Sequence, residues 1–491
     1  MLFPKTFYIN WIIAPTVSLM NANTTKIVAV VAIIVIVAAG VGGYFLLHKE
    51  KNNGPTINAA LEVYGNANND YKIDNSDVDI IKKVMNTEEG YTLEKYPLAD
   101  ANHDSKVDQS DVDLTEKIIA GGDVNNKIKV WVINHTTDTT TYPNGQYAAE
   151  VHWPVSKCVA NGAANALITY EMVGIRDNIV GINYSSSSPP DSIVYKHYNE
   201  MPSLGTSTMY LTESLLSDCV EKNAGTTLVI TADNKGYLDG SKGVSEAYIK
   251  DEMKLDVVRI EHAAVDPDKY SSALLTLGFL FQKNTKAQEA ADWTTKVFKE
   301  VTDKVSSVST KVRVAATSYY NYLSARNSDY ADVVVQAGGD YVLSGASTSS
   351  VYFEDSGTHT KDPNILKKEN QPDVIIALRT SAFLGKAADG ASWYGSTDKW
   401  DTTTMNNQLK HFEVFDCYGE GKEKVYTVSG DCPIVARVLY SAALMYPDLV
   451  SMDYANEKHQ EFVDKFLGGS YKVSECHFVL TQKDIKELSA A

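Results

Sequence analysis

The hydrophobic pattern divides the chain into an apolar N-terminal run, two short amphipathic helices behind acidic loops, and a long remainder of apolar strands alternating with helices. Residues 27–47 form a run of 21 positions without a charge. As a helix rising ~1.5 Å per residue, this run is long enough to cross a hydrocarbon layer of ~30 Å. It predicts a transmembrane anchor. A cleaved signal peptide is the alternative, because the small residues "AAGVGG" lie inside the run.

Short apolar runs separated by helical stretches such as 164–173 are typical of parallel α/β sheets. The first set comprises 128–133, 179–184, 227–231 and 257–260, and the second comprises 312–317, 373–378 and 425–428. The two sets predict two α/β lobes.

One long helical segment, 285–305, lies between the two sets. Apolar or small residues recur in it at steps of three and four, at Ala287, Ala291, Thr294, Phe298, Val301 and Val305. Such a period marks one buried helix face. Two lobes joined by one long helix enclose a cleft, and ligands of α/β folds bind outside the carboxyl ends of the strands.

The length and net charge of the chain limit the classes of function that it can have. At 491 residues the chain exceeds the ~250 to 300 residues that one core normally holds, so several units are expected. The formal net charge of −17 and the lack of a basic patch exclude nucleic acid as a partner. The sequence contains none of the motifs H-E-x-x-H, G-x-S-x-G or G-x-x-x-x-G-K-[ST], so we expect a protein that is not an enzyme.

Two acidic segments, "NANNDYKIDNSD" (66–77) and "DANHDSKVDQSD" (100–111), repeat one pattern 34 residues apart. Acidic or amide side chains stand at positions 1, 3, 5, 9 and 12 of each. Calcium takes six to eight oxygen ligands from twelve-residue loops of this kind, with a backbone carbonyl at position 7. The predicted ligands are Asn66, Asn68, Asp70, Lys72, Asp74 and Asp77 upstream, and Asp100, Asn102, Asp104, Lys106, Asp108 and Asp111 downstream.

Each acidic loop runs into a helical stretch, "DVDIIKKVM" or "DVDLTEKII". These paired EF-hand-like units resemble a type I-like dockerin, a small all-α calcium module that docks a cohesin-bearing partner. The resemblance implies two Ca²⁺ ions and cohesin contacts at the tenth and eleventh loop positions, which are Asn75, Ser76, Gln109 and Ser110. Two departures stand out: the usual Gly at position 6 is Tyr71 or Ser105, and the first upstream ligand is the neutral Asn66. We therefore expect the upstream site to be the weaker.

The remainder resembles the helix-hinged substrate-binding proteins of ABC importers that capture iron-siderophore, haem or cobalamin complexes. The stretches that carry the resemblance include "ANALITYEMVGIRDNIVGINYSS", "PSLGTSTMYLTESLL", "LLTLGFLFQKNTKAQEA", "ENQPDVIIAL", "ASWYGS" and "SGDCPIVARVLYSAALMYPDLV". This resemblance implies a two-lobed fold like that of periplasmic binding proteins, with one long connecting helix. It also implies a carboxylate on each lobe for docking the ABC permease and its ATPase. The matching residues are Glu213 and, where Asn364 replaces the usual Glu, the nearby Asp362.

Ligand contacts are expected at strand ends and turns that face the cleft. The candidates are Tyr184, Ser185, Ser186, Gly205, Thr206, Tyr319, Tyr320, Trp393, Tyr394 and Arg437. Aromatic faces suit flat macrocycles, and Arg and hydroxyl groups suit carboxylate or catecholate rims. A bare metal ion held by residues such as His197 and His262 is a further option.

The predicted order of domains is an N-terminal segment (1–26), the anchor (27–47), the calcium module (55–123) and the substrate-binding domain (127–491). The last divides into lobe 1 (127–270), a connecting helix region (271–308) and lobe 2 (309–491). Calcium dependence favours an extracellular location for everything after Leu47, at the surface of the cell membrane.

The function expected from the sequence is a membrane-anchored, extracellular receptor that captures a metal chelate for an ABC importer. The alternatives are an adhesion or scaffold protein that reuses the fold without a transport ligand, and a chelatase-like enzyme. Cys417 and Cys432 form either a disulfide or two buried thiols.

Overall fold

The computed structural model describes residues 59–161, 164–183, 196–205, 210–262, 264–325, 328–346, 350–355, 357–378, 401–419, 421–430 and 432–490. The described residues all belong to one compact unit, 55–491. The predicted anchor, 27–47, lies outside the described residues. Within the described ranges, no helix combines the length and apolar character that crossing a bilayer requires.

Helices and strands alternate through most of the described chain. The α-helices are α1 (Asn75–Met85), α2 (Gln109–Ile119), α3 (Ala164–Val173), α4 (Lys196–Asn199), α5 (Glu213–Lys222), α6 (Glu246–Asp251), α7 (Pro267–Leu280), α8 (Asn284–Ser306), α9 (Asp329–Gln336), α10 (Thr402–Lys410), α11 (Ile434–Met445), α12 (Met452–Phe466) and α13 (Gln482–Ala490). The strands are β1 (Ile128–His135), β2 (Gln146–Trp153), β3 (Lys157–Asn161), β4 (Ile179–Asn183), β5 (Thr226–Ala232), β6 (Asp256–Ile260), β7 (Arg313–Thr317), β8 (Tyr322–Ser324), β9 (Asp340–Tyr341), β10 (Ser350–Tyr352), β11 (Val374–Ala377), β12 (Val425–Val428) and β13 (Val479–Leu480). Short 3₁₀ turns span Pro97–Ala99, Arg176–Asn178, Lys235–Leu238, Pro363–Leu366, Lys368–Asn370, His411–Val414, Asp416–Tyr418 and Val473–Glu475.

The first lobe contains a parallel sheet in the order β4-β3-β5-β6. Strand β5 lies inside it, with Ile230 opposite Ala160 on one side and Val258 on the other. Burial on both faces explains why β5 reads as a nearly continuous apolar run. Strand β3, "KCVAN", was not predicted, because its short run of Ala and Cys carries little β-branched character.

Strand β1 departs from the predicted parallel arrangement. It pairs antiparallel with β2, from Ile128 opposite Trp153 to His135 opposite Gln146, and forms a separate two-stranded sheet. The prediction that 128–133 belongs to the parallel sheet was therefore wrong. The physical reason is the connection: residues 136–145 contain no helix, and a parallel pair needs a crossover.

The second lobe contains a sheet in the order β13-β12-β11-β7-β9. Strands β12, β11, β7 and β9 run parallel, and β13 joins antiparallel at the edge. A short antiparallel pair, β8 with β10, stands beside it. The structure thus has two separate parallel α/β sheets, which confirms the two-lobed part of the predicted fold.

Helix α8 connects the two lobes and matches the predicted helical segment. All six residues predicted on its inner face are buried: Ala287, Ala291, Thr294, Phe298, Val301 and Val305. Helix α7 packs closely against it at Gly278, where an added Cβ would lie 2.2 Å from the Cβ of Ala287. Residues of both sheets and of α8 belong to one continuous apolar core, so the lobes are joined by packed side chains as well as by the chain.

The two acidic loops and their helices form a small subdomain with its own apolar core of Ala67, Val78, Ile81, Val84, Ala99 and Val112. The segment before it attaches to lobe 1. Val63 forms an antiparallel bridge with Val132 of β1, and the backbone N–H of Ala60 donates to Ser272 Oγ at 3.0 Å. The ring centroids of His103 and of Trp131 on β1 lie 4.9 Å apart, with the planes tilted by 50°. The subdomain is therefore fixed to lobe 1 by side-chain and backbone contacts.

Cys417 and Cys432 are present as buried thiols. No disulfide links Cys417 with Cys432, and both side chains are buried. Burial also raises the pKa of the Cys417 thiol to about 12. Of the two alternatives left open by the sequence, the structure has the buried thiols.

Candidate functional site

A cavity of about 410 Å³ lies between the two lobes. Its walls on lobe 1 follow strands β5 and β6 and the start of α7, and its wall on lobe 2 is helix α9. The lining residues are Asp233, Glu261, Ala264, Val265, Asp266, Lys269, Asp329, Asp332, Val335 and Gln336.

Strand topology places the acidic residues of lobe 1 together. Asp233 directly follows β5 and Glu261 directly follows β6. Because these neighbouring strands are parallel, their carboxyl ends meet at one edge of the sheet. Asp266 closes the group as the N-cap of α7, where its Oδ1 accepts from the N–H groups of Asp268 and Lys269 at 3.0 and 3.1 Å.

The cavity is strongly acidic. Of the lining side chains that the structure describes, five are carboxylic acids and one, Lys269, is basic. Lys269 Nζ is already engaged, 3.1 Å from Glu261 Oε1. The second oxygen of that carboxylate, Glu261 Oε2, is buried and has no hydrogen-bond partner.

Burial and crowding of like charges oppose ionisation of the cavity acids. The pKa of Asp233 is raised by burial and by the charges of Glu261 and Asp329. The pKa of Asp329 is raised by burial and by Glu261, although the guanidinium of Arg437 opposes the shift. These charges act across the gap between lobes, so carboxylates of both lobes share one electrostatic environment.

His135, at the end of β1, connects this site with the segment that leads into the first acidic loop. Its Nε2 lies 2.8 Å from Glu62 Oε2, and its Nδ1 lies 3.8 Å from Glu261 Oε1. Burial lowers the pKa of His135, but the hydrogen bond to Glu62 and the charges of Glu62 and Glu261 outweigh it and leave the pKa raised. The carboxylates of Glu62 and Glu261 therefore stabilise the protonated imidazole that lies between them.

A buried amide group lies at the same edge of the first sheet. Asn183, the last residue of β4, donates from Nδ2 to Asn161 Oδ1 at 3.0 Å, and Asn161 Nδ2 donates to Thr231 Oγ1 at 3.3 Å. The other end of the Asn183 amide, Oδ1, is buried and accepts no hydrogen bond. This edge of the sheet therefore holds a second buried acceptor without a donor among the described residues.

The residues predicted to contact the ligand differ in where they lie in the structure. Tyr184, Ser185, Ser186, Thr206, Trp393 and Tyr394 lie outside the described residues. Gly205 is packed so tightly that an added Cβ would meet Tyr210 O at 2.0 Å. Arg437 is 6% exposed, and its Nε donates to the carbonyl of Cys432 at 3.0 Å.

Tyr319 and Tyr320 follow β7, as predicted for residues at a strand end. Their ring centroids lie 4.3 Å apart with the planes tilted by 31°, and Tyr319 is 37% exposed. Further tilted ring pairs continue the group, Tyr320 with His411 and Tyr322 with Tyr352. Lobe 2 thus carries a partly exposed aromatic group next to its strand ends.

The predicted docking residues are accessible to different extents. Glu213 is exposed at the first position of α5. Asp362 is partly buried, and its Oδ1 caps a 3₁₀ turn by accepting from the N–H of Asn364 at 2.9 Å. The four predicted cohesin contacts, Asn75, Ser76, Gln109 and Ser110, are exposed at the first two positions of α1 and α2.

The two acidic loops have closely similar hydrogen bonding. Asp77 Oδ1 accepts from Asn68 N at 3.0 Å and its Oδ2 from Asp74 N at 2.8 Å. Asp111 repeats both bonds with Asn102 N and Asp108 N. Burial raises the pKa of the Asp77 carboxyl to about 6 and also raises the pKa of Asp111.

The first positions of the loops differ. The carboxylate of Asp100 accepts from the N–H groups of Asp104 and Ser105 at 3.0 and 2.8 Å. Ser105, at position 6, has a left-handed φ of 71°, the conformation for which such loops normally use Gly. Upstream, Asn66 instead donates from Nδ2 to the carbonyls of Leu61 and Asp70, and its buried Oδ1 has no partner.

Within the part of the chain that the structure describes, no three His, Cys, Asp or Glu side chains cluster closely enough to hold a metal ion by themselves. His262 is buried, and burial lowers its pKa to about 4. His197 is exposed on α4. The described residues thus give no support to a bare metal ion held by these two histidines.

Sequence reasoning missed the acidic residues of the cavity. The signal was present, because "TLVITAD" and "VVRIEH" place Asp233 and Glu261 immediately after predicted strands. Nothing local in the sequence could have shown that Asp329 and Asp332 of α9 face them across the gap, since this depends on the packing of lobe 2 against lobe 1.

No protein-family model and no curated protein matches this chain. Several solved structures are similar to it. The TroA-like periplasmic binding protein FepB from Veillonella parvula is 17% identical, covers 71% of this chain and 99% of its own, and has a TM-score of 0.47. An ABC transporter solute binding protein from Sulfurospirillum deleyianum is 16% identical over 70% of this chain and 97% of its own, with a TM-score of 0.46.

A third similar structure is the periplasmic heme binding protein HutB of Vibrio cholerae. It is 12% identical, covers 59% of this chain and 99% of its own, and has a TM-score of 0.42. At these identities and scores, the two-lobed architecture rests on the chain's own sheet topology and connecting helix.

Proposed function

We propose that this chain is a solute-binding protein that captures a small molecule between its two lobes and delivers it to an ABC importer. One observation carries the proposal: the inter-lobe cavity lies at the carboxyl ends of β5 and β6 and is closed from the other side by α9 of lobe 2. Ligand sites of open α/β sheets lie at this edge. A volume of about 410 Å³ falls in the range of small-molecule pockets.

The mechanism is binding with little rearrangement. Helix α8 spans 23 residues and is buried along one face, so it resists bending. The continuous core that joins the lobes makes large opening motions costly, because they would expose apolar surface to water. We therefore expect preorganised contacts to supply most of the affinity.

The finer proposal is that the solute is a metal chelate, as the resemblance to siderophore, haem and cobalamin receptors implies. The tyrosine surface beside β7 supports it, because aromatic faces stack on flat organic ligands. Glu213 would then dock the permease from lobe 1, since it is exposed at the start of α5. Asp362 would serve less directly, since it already caps a turn.

We also propose that the acidic loops bind two Ca²⁺ ions. The residues fit such ions: Asn66 Oδ1 is a buried acceptor without a donor, and the buried carboxylates of Asp77 and Asp111 meet backbone N–H groups but no basic side chain. The predicted donors, Asn66, Asn68, Asp70, Lys72 O, Asp74 and Asp77 with their downstream counterparts, would hold the ions. Bound calcium would supply positive charge to a subdomain with 13 acidic and 6 basic residues between 66 and 120.

The starts of α1 and α2 and the predicted anchor would hold the receptor at the cell membrane. The exposed residues that begin α1 and α2 would contact a cohesin-bearing partner, and 27–47 would anchor the chain in the cell membrane with its domains outside. An anchored receptor stays close to its permease, which raises the effective concentration of captured solute.

The test is a thermal-shift screen of the full-length protein in detergent against siderophores, haem, cobalamin, amines, amino acids and sugars. A ligand at about one hundred times its Kd is expected to add ~2.7 kcal/mol to the free energy of unfolding. If no class of solute shifts the transition, solute binding is refuted and the scaffold role takes its place.

A further inference from the structure

From the inter-lobe cavity we infer the class of solute: an organic cation with two or more ammonium or guanidinium groups joined by short apolar segments, as in a polyamine. The inference rests on the proposed solute-binding function and deepens it. It departs from the metal chelates that the sequence resemblance implies.

The first step is the charge of the walls. Asp233 and Glu261 of lobe 1 face Asp329 and Asp332 of lobe 2, and Asp266 lies at the start of α7. Among the lining residues that the structure describes, only Lys269 is basic, and it is already paired with Glu261 Oε1. The guanidinium of Arg437 also acts on Asp329, but the carboxylates outnumber these two cations. A cleft with walls of one charge concentrates ions of opposite charge and repels those of like charge. A ferric siderophore with a net negative charge, or haem with its two propionates, would meet repulsion here.

The second step is the supply of hydrogen-bond acceptors. Glu261, which lines the cavity, has a buried oxygen, Oε2, without a donor among the residues that the structure describes. Buried polar atoms are normally satisfied. An ammonium group brings three donors and no acceptor, and a guanidinium brings five donors. A cationic ligand therefore fits the chemistry of this acceptor, whereas a ligand rim of carboxylate oxygens does not.

The third step separates an organic cation from a metal ion. The cavity of about 410 Å³ is far larger than a single ion needs. Ala264, Val265 and Val335 supply apolar lining between the carboxylates, which suits methylene segments between charged groups.

Isothermal titration of the full-length protein in detergent tests the inference with three probes: spermidine, its fully N-acetylated neutral derivative, and a ferric catecholate siderophore, which is anionic. Spermidine is expected to bind, and raising NaCl from about 50 mM to about 500 mM is expected to weaken binding because salt screens charges. The neutral derivative is expected to bind at least about ten-fold more weakly, a difference of ~1.4 kcal/mol.

Two cavity variants and one control assign the binding to these carboxylates. Asp329→Asn and Asp233→Asn each remove one charge and nearly no volume, and each is expected to weaken spermidine binding about ten-fold or more. The control, Asp251→Asn, changes an exposed carboxylate at the end of α6 and is expected to leave binding unchanged. Unfolding curves of all three variants show whether the fold is retained, and the salt titration of the unmodified protein tests the inference independently of them.

The outcomes separate this inference from the proposed function. Tight binding of the siderophore or of another anionic or neutral solute, with no response to spermidine, would overturn the cation assignment and leave solute binding intact. Spermidine binding that neither salt nor the cavity variants weaken would also overturn it. Only the absence of a shift in the unfolding transition with every class of solute in the thermal-shift screen would overturn the receptor function itself.

Discussion

At the residue scale, the most informative side chain is His135. It lies between Glu62, in the segment that leads into the acidic loops, and Glu261, which lines the cavity. Lys269, which pairs with Glu261, opposes protonation of the ring, and burial opposes it as well, yet the two carboxylates leave the pKa raised. One imidazole thus joins the loop subdomain to the cavity wall through its charge.

A raised pKa in the folded state makes stability depend on pH. The contribution of His135 is fully present below the unfolded pKa of about 6.5 and is lost as the pH rises through the folded value. We expect the loss of unfolding free energy caused by His135→Gln to be larger at about pH 5.5 than at about pH 8. Urea unfolding at the two pH values measures it. The control is His197→Gln, an exposed ring on α4, for which a small loss at both pH values is expected; equal losses for His135→Gln at both would contradict the prediction.

Asp77 is the second residue whose role can be tested alone. It is fully buried and stands at position 12 of the upstream loop. We expect Asp77→Asn to weaken calcium binding at that loop by about ten-fold or more, because the substitution removes a formal negative charge from the site. Calcium titration calorimetry should then show one site lost and one retained.

The matched control is Asp79→Asn, which changes an exposed carboxylate two residues further along α1. It is expected to leave both sites in place. Two unchanged sites in Asp77→Asn would refute the assignment of this carboxylate as a ligand.

At the element scale, helices α7 and α8 pack closely against each other at one glycine. The close approach depends on Gly278, because an added Cβ would lie 2.2 Å from the Cβ of Ala287 and 3.3 Å from the carbonyl oxygen of Lys283. Neither neighbour is the flexible end of a long side chain. The helices must therefore move apart if any side chain is introduced there.

We expect Gly278→Ala to lower the free energy of unfolding by about 1 to 3 kcal/mol through overpacking, despite the better helix propensity of Ala. Urea unfolding followed by circular dichroism measures the change. Gly345→Ala is the control, since a Cβ there meets nothing within 4 Å. A Gly278→Ala protein as stable as the unmodified chain would show that α7 and α8 can separate without cost.

At the scale of the whole molecule, the excess of acidic residues is proposed to serve the binding of cations. The net charge of −17 is spread over the chain, yet part of it is concentrated in the cavity and in the two loops, which are the two places proposed to bind cations. Removal of calcium with a chelator is expected to destabilise the loop subdomain first, because its small core is separate from the main one. Hydrogen exchange with and without chelator checks this. Uniform protection across α1 and α2 in both conditions would contradict it.

Several features of the fold could be predicted because they depend on local periodicity. Helix α8, helix α3 and strands β5, β6, β7, β11 and β12 are found where apolar residues recur at the matching period. Strand β1 was assigned to the wrong sheet because periodicity identifies a strand but not its partner. Strand β3 was missed although it pairs with both β4 and β5, since its apolar run is short.

The sequence by itself determined the elements with a clear apolar period, the loop pattern at 66–77 and 100–111, and the existence of two strand sets joined by a long helix. Each of these follows from residues that are neighbours along the chain. Only the tertiary structure decided the chemistry of the cavity. Asp233, Glu261 and Asp329 are far apart in sequence, and they share one environment because parallel strands end at a common edge and α8 brings lobe 2 opposite to it.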